Sequence, residues 1–215
     1  MKTLVVAAAG LSLLGSALEA QQRPRVTAWA DGAIVRLGTQ ILGARESQSG
    51  PIFGGEAGLG LGPVTLGAGY LEGRLQPGSS GTPGGGRDLV EARIFVSARP
   101  APWLTLSAGP RVRAFVTDSA TERWVLWQVR ARAQNALAST PLQTYIELWR
   151  ALSARVNLPE PVDHVQGGEA GVVLRPPRAA VWLRLGYRVE GARLGSGLRS
   201  ETVEAVSLAL GIGGP

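Results

Sequence analysis

From Val90 to Val116 the chain alternates in hydropathy. Val90, Ala92, Ile94, Val96 and Ala98 are separated by Glu91, Arg93, Phe95 and Ser97. After Pro100-Ala101-Pro102 the alternation resumes: Leu104, Leu106, Ala108, Val112, Ala114 and Val116 fall on one side, and Thr105, Ser107, Gly109, Arg111, Arg113 and Phe115 on the other. Successive side chains of a strand point to opposite faces, so this period gives one apolar and one polar face. Two such strands across a tight turn predict an antiparallel hairpin over Leu89–Val116.

The same rhythm recurs along the chain. Strands are expected at Val26–Leu37, Ile52–Leu61, Val64–Leu75, Trp124–Leu137, Gly168–Arg175, Ala179–Val189 and Thr202–Ile212. Leu142–Val156 fits two patterns. Leu142, Ile146, Leu148 and Leu152 form a strand face, while Tyr145, Leu148, Trp149, Leu152 and Val156 form a helical stripe. Its alternating neighbours and the short turn before it favour a strand. The connections differ in kind. Gly62-Pro63, Pro100–Pro102, Ala138–Pro141 and Pro176-Pro177 are tight, whereas Thr39–Gly50, Gln76–Arg87, Thr117–Glu122, Asn157–Gln166 and Gly191–Arg199 read as longer polar loops. Ten strands with short turns at one end and long loops at the other predict a closed, antiparallel, up-and-down transmembrane β-barrel, eight strands being the alternative count. Segments of about ten residues suit a tilted membrane-crossing strand.

Residues 1–20 read as a signal peptide, with Lys2 followed by an apolar Ala/Leu stretch and small residues, leaving 21–215 as a single domain. No later stretch is apolar enough for a transmembrane helix. The absence of cysteine excludes disulfides and thiol chemistry. The net charge is +6, and every basic residue after Lys2 is arginine. These arginines alternate with apolar residues instead of forming a basic run, which argues against nucleic acid as a partner.

On the leader, the strand rhythm and the loop asymmetry, the chain resembles small bacterial outer-membrane β-barrel proteins. The resemblance implies an outer-membrane location with both termini in the periplasm. It implies outer-membrane lipid, lipopolysaccharide and the barrel-assembly machinery as partners, and it names no extracellular ligand. It departs from that family's usual aromatic ending, the last residues being Gly211-Ile212-Gly213-Gly214-Pro215. A soluble, lipocalin-like periplasmic lipid carrier would place the apolar face inside. The outward alternative rests on an apolar face of Val, Leu, Ile and Ala, and on Tyr70, Trp103, Trp124, Trp127 and Tyr187 near strand ends, where interfacial aromatics sit. The other face would then line the lumen with Glu56, Glu91, Arg93, Arg111, Arg113, Arg130, Arg132, Glu147, Glu169, Arg184 and Arg188.

A barrel of this size leaves little open lumen, so the charges are expected to form a salt-bridge plug, with Glu91 facing Arg111 or Arg113. The expected role is structural, or binding and adhesion through the loops, without enzymatic activity, metal or cofactor. The rivals are a narrow pore for small solutes, a surface hydrolase using His164, and the soluble carrier. The Asp163-His164 pair on the fourth long loop is similar to a feature of the ten-stranded omptin proteases. However, neighbours on an extended chain point apart, and Asp88 stands alone where a second acidic pair would be needed. The glycine-rich run before Arg87 lacks the Gly-Lys-Ser/Thr of a phosphate loop.

Overall fold

The computed structural model describes residues 24–78 and 85–213; the predicted signal peptide lies outside the described residues. Ten strands follow one another: β1 (Arg25–Ile41), β2 (Ala44–Leu61), β3 (Val64–Pro77), β4 (Arg87–Ala101), β5 (Leu104–Val116), β6 (Thr121–Ala136), β7 (Leu142–Val156), β8 (Val162–Leu174), β9 (Val181–Leu194) and β10 (Arg199–Ile212). Each pairs antiparallel with its chain neighbours, and β1 pairs with β10 to close the barrel. Closure leaves no unpaired edge, the condition for a sheet to cross lipid. Leu142–Val156 is a strand. The barrel has a terminal end, where β1 begins and β10 finishes, and a distal end opposite.

The long loops expected at the distal end are largely strand. β1 runs through Thr39 to Ile41, and β2 starts at Ala44, so the first "loop" is a two-residue turn at Leu42-Gly43. Both turn residues have positive φ, 48° and 91°, which matches the twist of a tight hairpin. The Leu42 N–H also donates to the Leu198 carbonyl at 3.1 Å. Two further distal connections are also shorter than expected. Thr117–Ala120 closes on itself through Thr117 and Ala120, and Gly195–Gly197 forms a single 3-10 turn. Polar composition was the basis for reading loops here, but a strand standing in water is also polar on its outer face. A Cβ at Gly43 would force an L-residue into the left-handed region. Gly43→Ala is therefore expected to cost about 1–2 kcal/mol in equilibrium unfolding.

Strands of 13 to 18 residues are longer than the 9–11 that a tilted strand needs to cross hydrocarbon. The excess lies at the distal end, and there the pattern of faces inverts. Along β10, Val206, Leu208, Leu210 and Ile212 point outward while Ser207 and Ala209 point in. Nearer the distal end, Val203 and Ala205 point in while Thr202 and Glu204 point out. β3 changes in the same way, from outward Leu66, Ala68 and Tyr70 to inward Leu71 and Leu75 with outward Glu72 and Arg74. β1 inverts between outward Ile34 and inward Val35 and Leu37, and β6 carries inward Trp124 and Leu126 beside outward Arg123. Over the terminal two-thirds, the apolar face therefore looks out, against the arrangement of a soluble carrier. The distal third is built like a soluble barrel. Its interior is filled by Val35, Leu37, Ile52, Leu75, Leu89, Phe115, Trp124, Leu126, Val165, Leu194 and Val203.

At the terminal end the interior is divided. One side holds an aromatic cluster in which Trp29 meets Trp182 edge-on, with ring centroids 5.6 Å apart, beside Tyr145, Val173 and Ala209. Trp182 lies against Gly211, where a Cβ would occupy the ring's place. The other side is a cavity.

Candidate functional site: the charged lumen

Between the distal apolar core and the terminal cavity lies a layer of charge. It forms because the inward positions of β4, β5, β6, β7 and β9 carry Glu91 and Arg93, Arg111 and Arg113, Arg130 and Arg132, Glu147, and Arg184 and Arg188. Glu56 and Glu169 face inward from β2 and β8. All eleven lumen residues named from the sequence therefore line the interior.

The centre of the layer is Arg111, which is 1% exposed. Its Nη2 donates to Glu91 Oε2 and its Nη1 to Glu190 Oε2, both at 2.5 Å. Arg113 reaches the same two carboxylates, Glu91 at 3.2 Å and Glu190 at 2.7 Å. Arg188 lies 3.5 Å from Glu91 and 3.7 Å from Glu190, and Trp149 Nε1 donates to Glu190 Oε2 at 2.8 Å. Two buried carboxylates thus hold three guanidinium groups. Glu91 contacts both arginines expected for it, and the ladder sets it opposite Arg113.

Around this centre stand separate pairs. Arg93 bonds Glu56. Arg130 bonds Glu147 at 2.7 Å, Arg184 bonds Asp31 at 3.2 Å, and the Tyr145 hydroxyl donates to Glu169 at 2.5 Å. Aromatic faces carry part of the positive charge: Trp149 beneath Arg130 at 4.8 Å and Tyr145 beneath Arg132 at 4.1 Å. At the distal mouth Arg199 bridges Glu201 and Glu122, the latter at 2.6 Å, and Trp124 Nε1 donates to Glu122 at 2.7 Å. Chemically, the lumen is largely a set of cross-strand ion pairs, and burial makes an unpaired charge there costly.

Sequence reasoning missed Glu190 and Asp31. Glu190 continues the inward run Trp182, Arg184, Gly186, Arg188 by one step, just past the expected end of that strand at Val189. Asp31 continues the inward set of Trp29 on β1, where alanines and a glycine blur the alternation.

Four of the five aromatics expected at the membrane edge are outward and exposed: Tyr70, Trp103, Trp127 and Tyr187. Trp103 lies in the β4–β5 turn at the terminal end, and Tyr70 is the last outward residue of β3 before Glu72. Trp124 is a correction. It points inward and is 2% exposed, because it belongs to the distal stretch where the faces are inverted. Asp163 and His164 are also displaced from their expected place. They belong to the start of β8, beside a bulge, instead of a loop, and no hydrogen bond or ion pair joins them. Asp88 lies 3.9 Å from Arg74 on the distal surface. Among the described residues, no group of three or more His, Asp and Glu is placed to hold a metal ion.

The terminal cavity has a volume of about 660 Å³ and reaches the rim at Gly62, Pro63 and Ser97. Its roof is the charge layer, with Arg93, Arg111, Arg130 and Glu147 in the lining. Above that roof the apolar core closes the barrel, so the cavity is blind.

No family model matches the sequence, and no curated protein matches it. Solved structures do. The fold is similar to that of outer membrane protease OmpT from Escherichia coli, with a TM-score of 0.54 at 8% identity over 87% of this chain and 96% of that one. The translocator domain of autotransporter NalP from Neisseria meningitidis gives 0.49 at 11% identity, covering 97% and 95%. Neisserial surface protein A gives 0.37 at 14%, covering 89% and 99%. At these identities the likeness concerns the fold alone, which is that of bacterial outer-membrane β-barrels.

Proposed function

We propose that this chain is a sealed outer-membrane barrel with a structural and surface-binding role, in which the terminal end faces the periplasm and the distal third stands outside the cell. What carries the reading is the stacking of two independent closures, the ion-pair layer around Arg111 and the apolar core from Val35 to Val203. A solute would have to break the first and pass through a close-packed second. The β1–β2, β5–β6 and β9–β10 connections are short, so the surface offered to a partner includes the polar outer face of the strand extension, with Arg36, Glu72, Arg74 and Glu204. Asp163 and His164 are neighbours on the extended start of β8, an arrangement that does not favour an orienting pair, so the reading includes no enzymatic step.

The test is conductance. Purified protein reconstituted in planar bilayers is expected to give no ion-conducting steps. Regular single-channel steps from the wild-type protein, altered in Arg111→Ala or Arg130→Ala, would replace this reading with the narrow pore.

A further inference from the structure

The blind cavity is far more positive than the layer above it. Its lining contains seven arginines and two glutamates. Of the charge-layer arginines, Arg93, Arg111, Arg113, Arg130, Arg184 and Arg188 each lie within ion-pair distance of a carboxylate. In that layer Arg132 differs: among the described residues no carboxylate lies within ion-pair distance of it. Glu147 stands directly opposite Arg132 across the β6–β7 ladder, but Arg130 holds it at 2.7 Å. On its other side Arg132 faces Thr105 of β5, and Ser107 faces Arg130 one step along. The Arg132 guanidinium lies over the Tyr145 ring, and its Nε and Nη2 donors are buried without an acceptor. Arg184, which also lines the cavity, keeps a buried Nε unbonded as well.

A buried guanidinium without a counter-charge is strongly unfavourable, and neighbouring cations raise the local potential further. Arg188 also keeps Nε and Nη2 without a hydrogen-bond acceptor, but it lies within 4 Å of two carboxylates; Arg132 lies that close to none, and it borders a space large enough for a small ligand. Guanidinium groups flanked by hydroxyls form a donor set suited to a tetrahedral oxyanion.

We propose that the terminal cavity binds a phosphate group, with Arg132 as its principal anchor and Thr105 and Ser107 as auxiliary donors. The group can belong to a free phosphate ester or to a phospholipid headgroup at the rim, because both present the same oxyanion to the same opening. The proposal is independent of the two closures above, since the ligand enters and leaves at the terminal end.

The experiment uses the full barrel in a phosphate-free, non-ionic detergent at constant ionic strength. Thermal unfolding and calorimetry are followed with glycerol phosphate, with dihexanoylphosphatidylglycerol, and with acetate. Glycerol phosphate or the short lipid is expected to stabilise the wild-type protein, and whichever binds more tightly identifies the source. Arg132→Gln is expected to weaken that binding by about tenfold or more, the loss of a charge-assisted contact. It should also leave the ligand-free protein no less stable, because it removes an unpaired charge. Arg132→Lys, which keeps the charge but loses the planar fork, should bind with intermediate strength. Arg123→Gln, on the outer face of β6, should bind like the wild type. No binding of either phosphate probe, equal binding of acetate, or undiminished binding by Arg132→Gln would each overturn the proposal. A cavity holding only water gives the first of these results.

Discussion

Glu190→Ala is expected to lower the free energy of unfolding by about 3–5 kcal/mol, the cost of stranding buried charges whose partner is removed. Glu190 is 2% exposed and holds Arg111 and Arg113 directly, Arg188 at longer range and the Trp149 N–H. Without it, three guanidinium groups share Glu91 alone. Glu190 is on the side of the layer away from the cavity lining, so salt should screen its pairs less than exposed ones. Glu190→Gln keeps the acceptor oxygen and the shape, and should retain the Trp149 bond while losing most of the charge pairing. Urea titration of the folded barrel, read by tryptophan fluorescence and checked by heat-modifiable migration on gels, measures all three proteins. A loss below about 1 kcal/mol, the range of exposed ion pairs, would mean that the layer is hydrated and that its pairs are screened.

The second large effect separates two positions on the same outward face of β10. Leu208→Arg is expected to destabilise the membrane-inserted barrel by about 2–4 kcal/mol, whereas Glu204→Arg should be close to neutral. Leu208 lies in the apolar belt and Glu204 beyond it, only four residues away. Val203→Arg, one residue from Glu204 but inward and 5% exposed, should again be costly, because it puts a charge into the distal core. A costly, neutral, costly series along one strand is what the inversion of faces predicts. Equal costs at 204 and 208 would place the membrane boundary elsewhere. The comparison requires refolding into vesicles, since detergent blurs the boundary.

The hairpin around Leu89–Val116 is readable from sequence because lipid outside and charge inside impose a strict period of two. The same physics makes the inward charges readable at Glu91, Arg111 and Arg130, where alternation is clean. The period persists at the distal end but its sense reverses. A stretch such as Leu71-Glu72-Gly73-Arg74-Leu75 has its apolar residues on the opposite parity from Leu66, Ala68 and Tyr70. Taken as one pattern, the two halves cancel, which ended the expected strand one residue short of Glu190 and placed Trp124 among the membrane-edge aromatics. The reversal itself is visible in the sequence once two solvents are allowed along a single strand. What sequence cannot provide is the pairing of charges. The assignment of Glu147 to Arg130, and not to Arg132 directly opposite it, depends on side-chain reach and on the Tyr145 ring beneath Arg132.

The inversion of faces also bears on how the barrel finds its register. Sliding a strand by one residue against its neighbour exchanges its two faces. In a barrel that ends at the membrane surface, such an error is felt only in the lipid. Here it is felt twice: Leu208 and its outward companions would enter a charged interior, while Val203 and Ala205 would turn out into water. A strand such as β10 or β3 thus carries two checks on the same alignment, one read by hydrocarbon and one by water. A misaligned strand would gain no refuge by shifting deeper into the membrane or farther out of it.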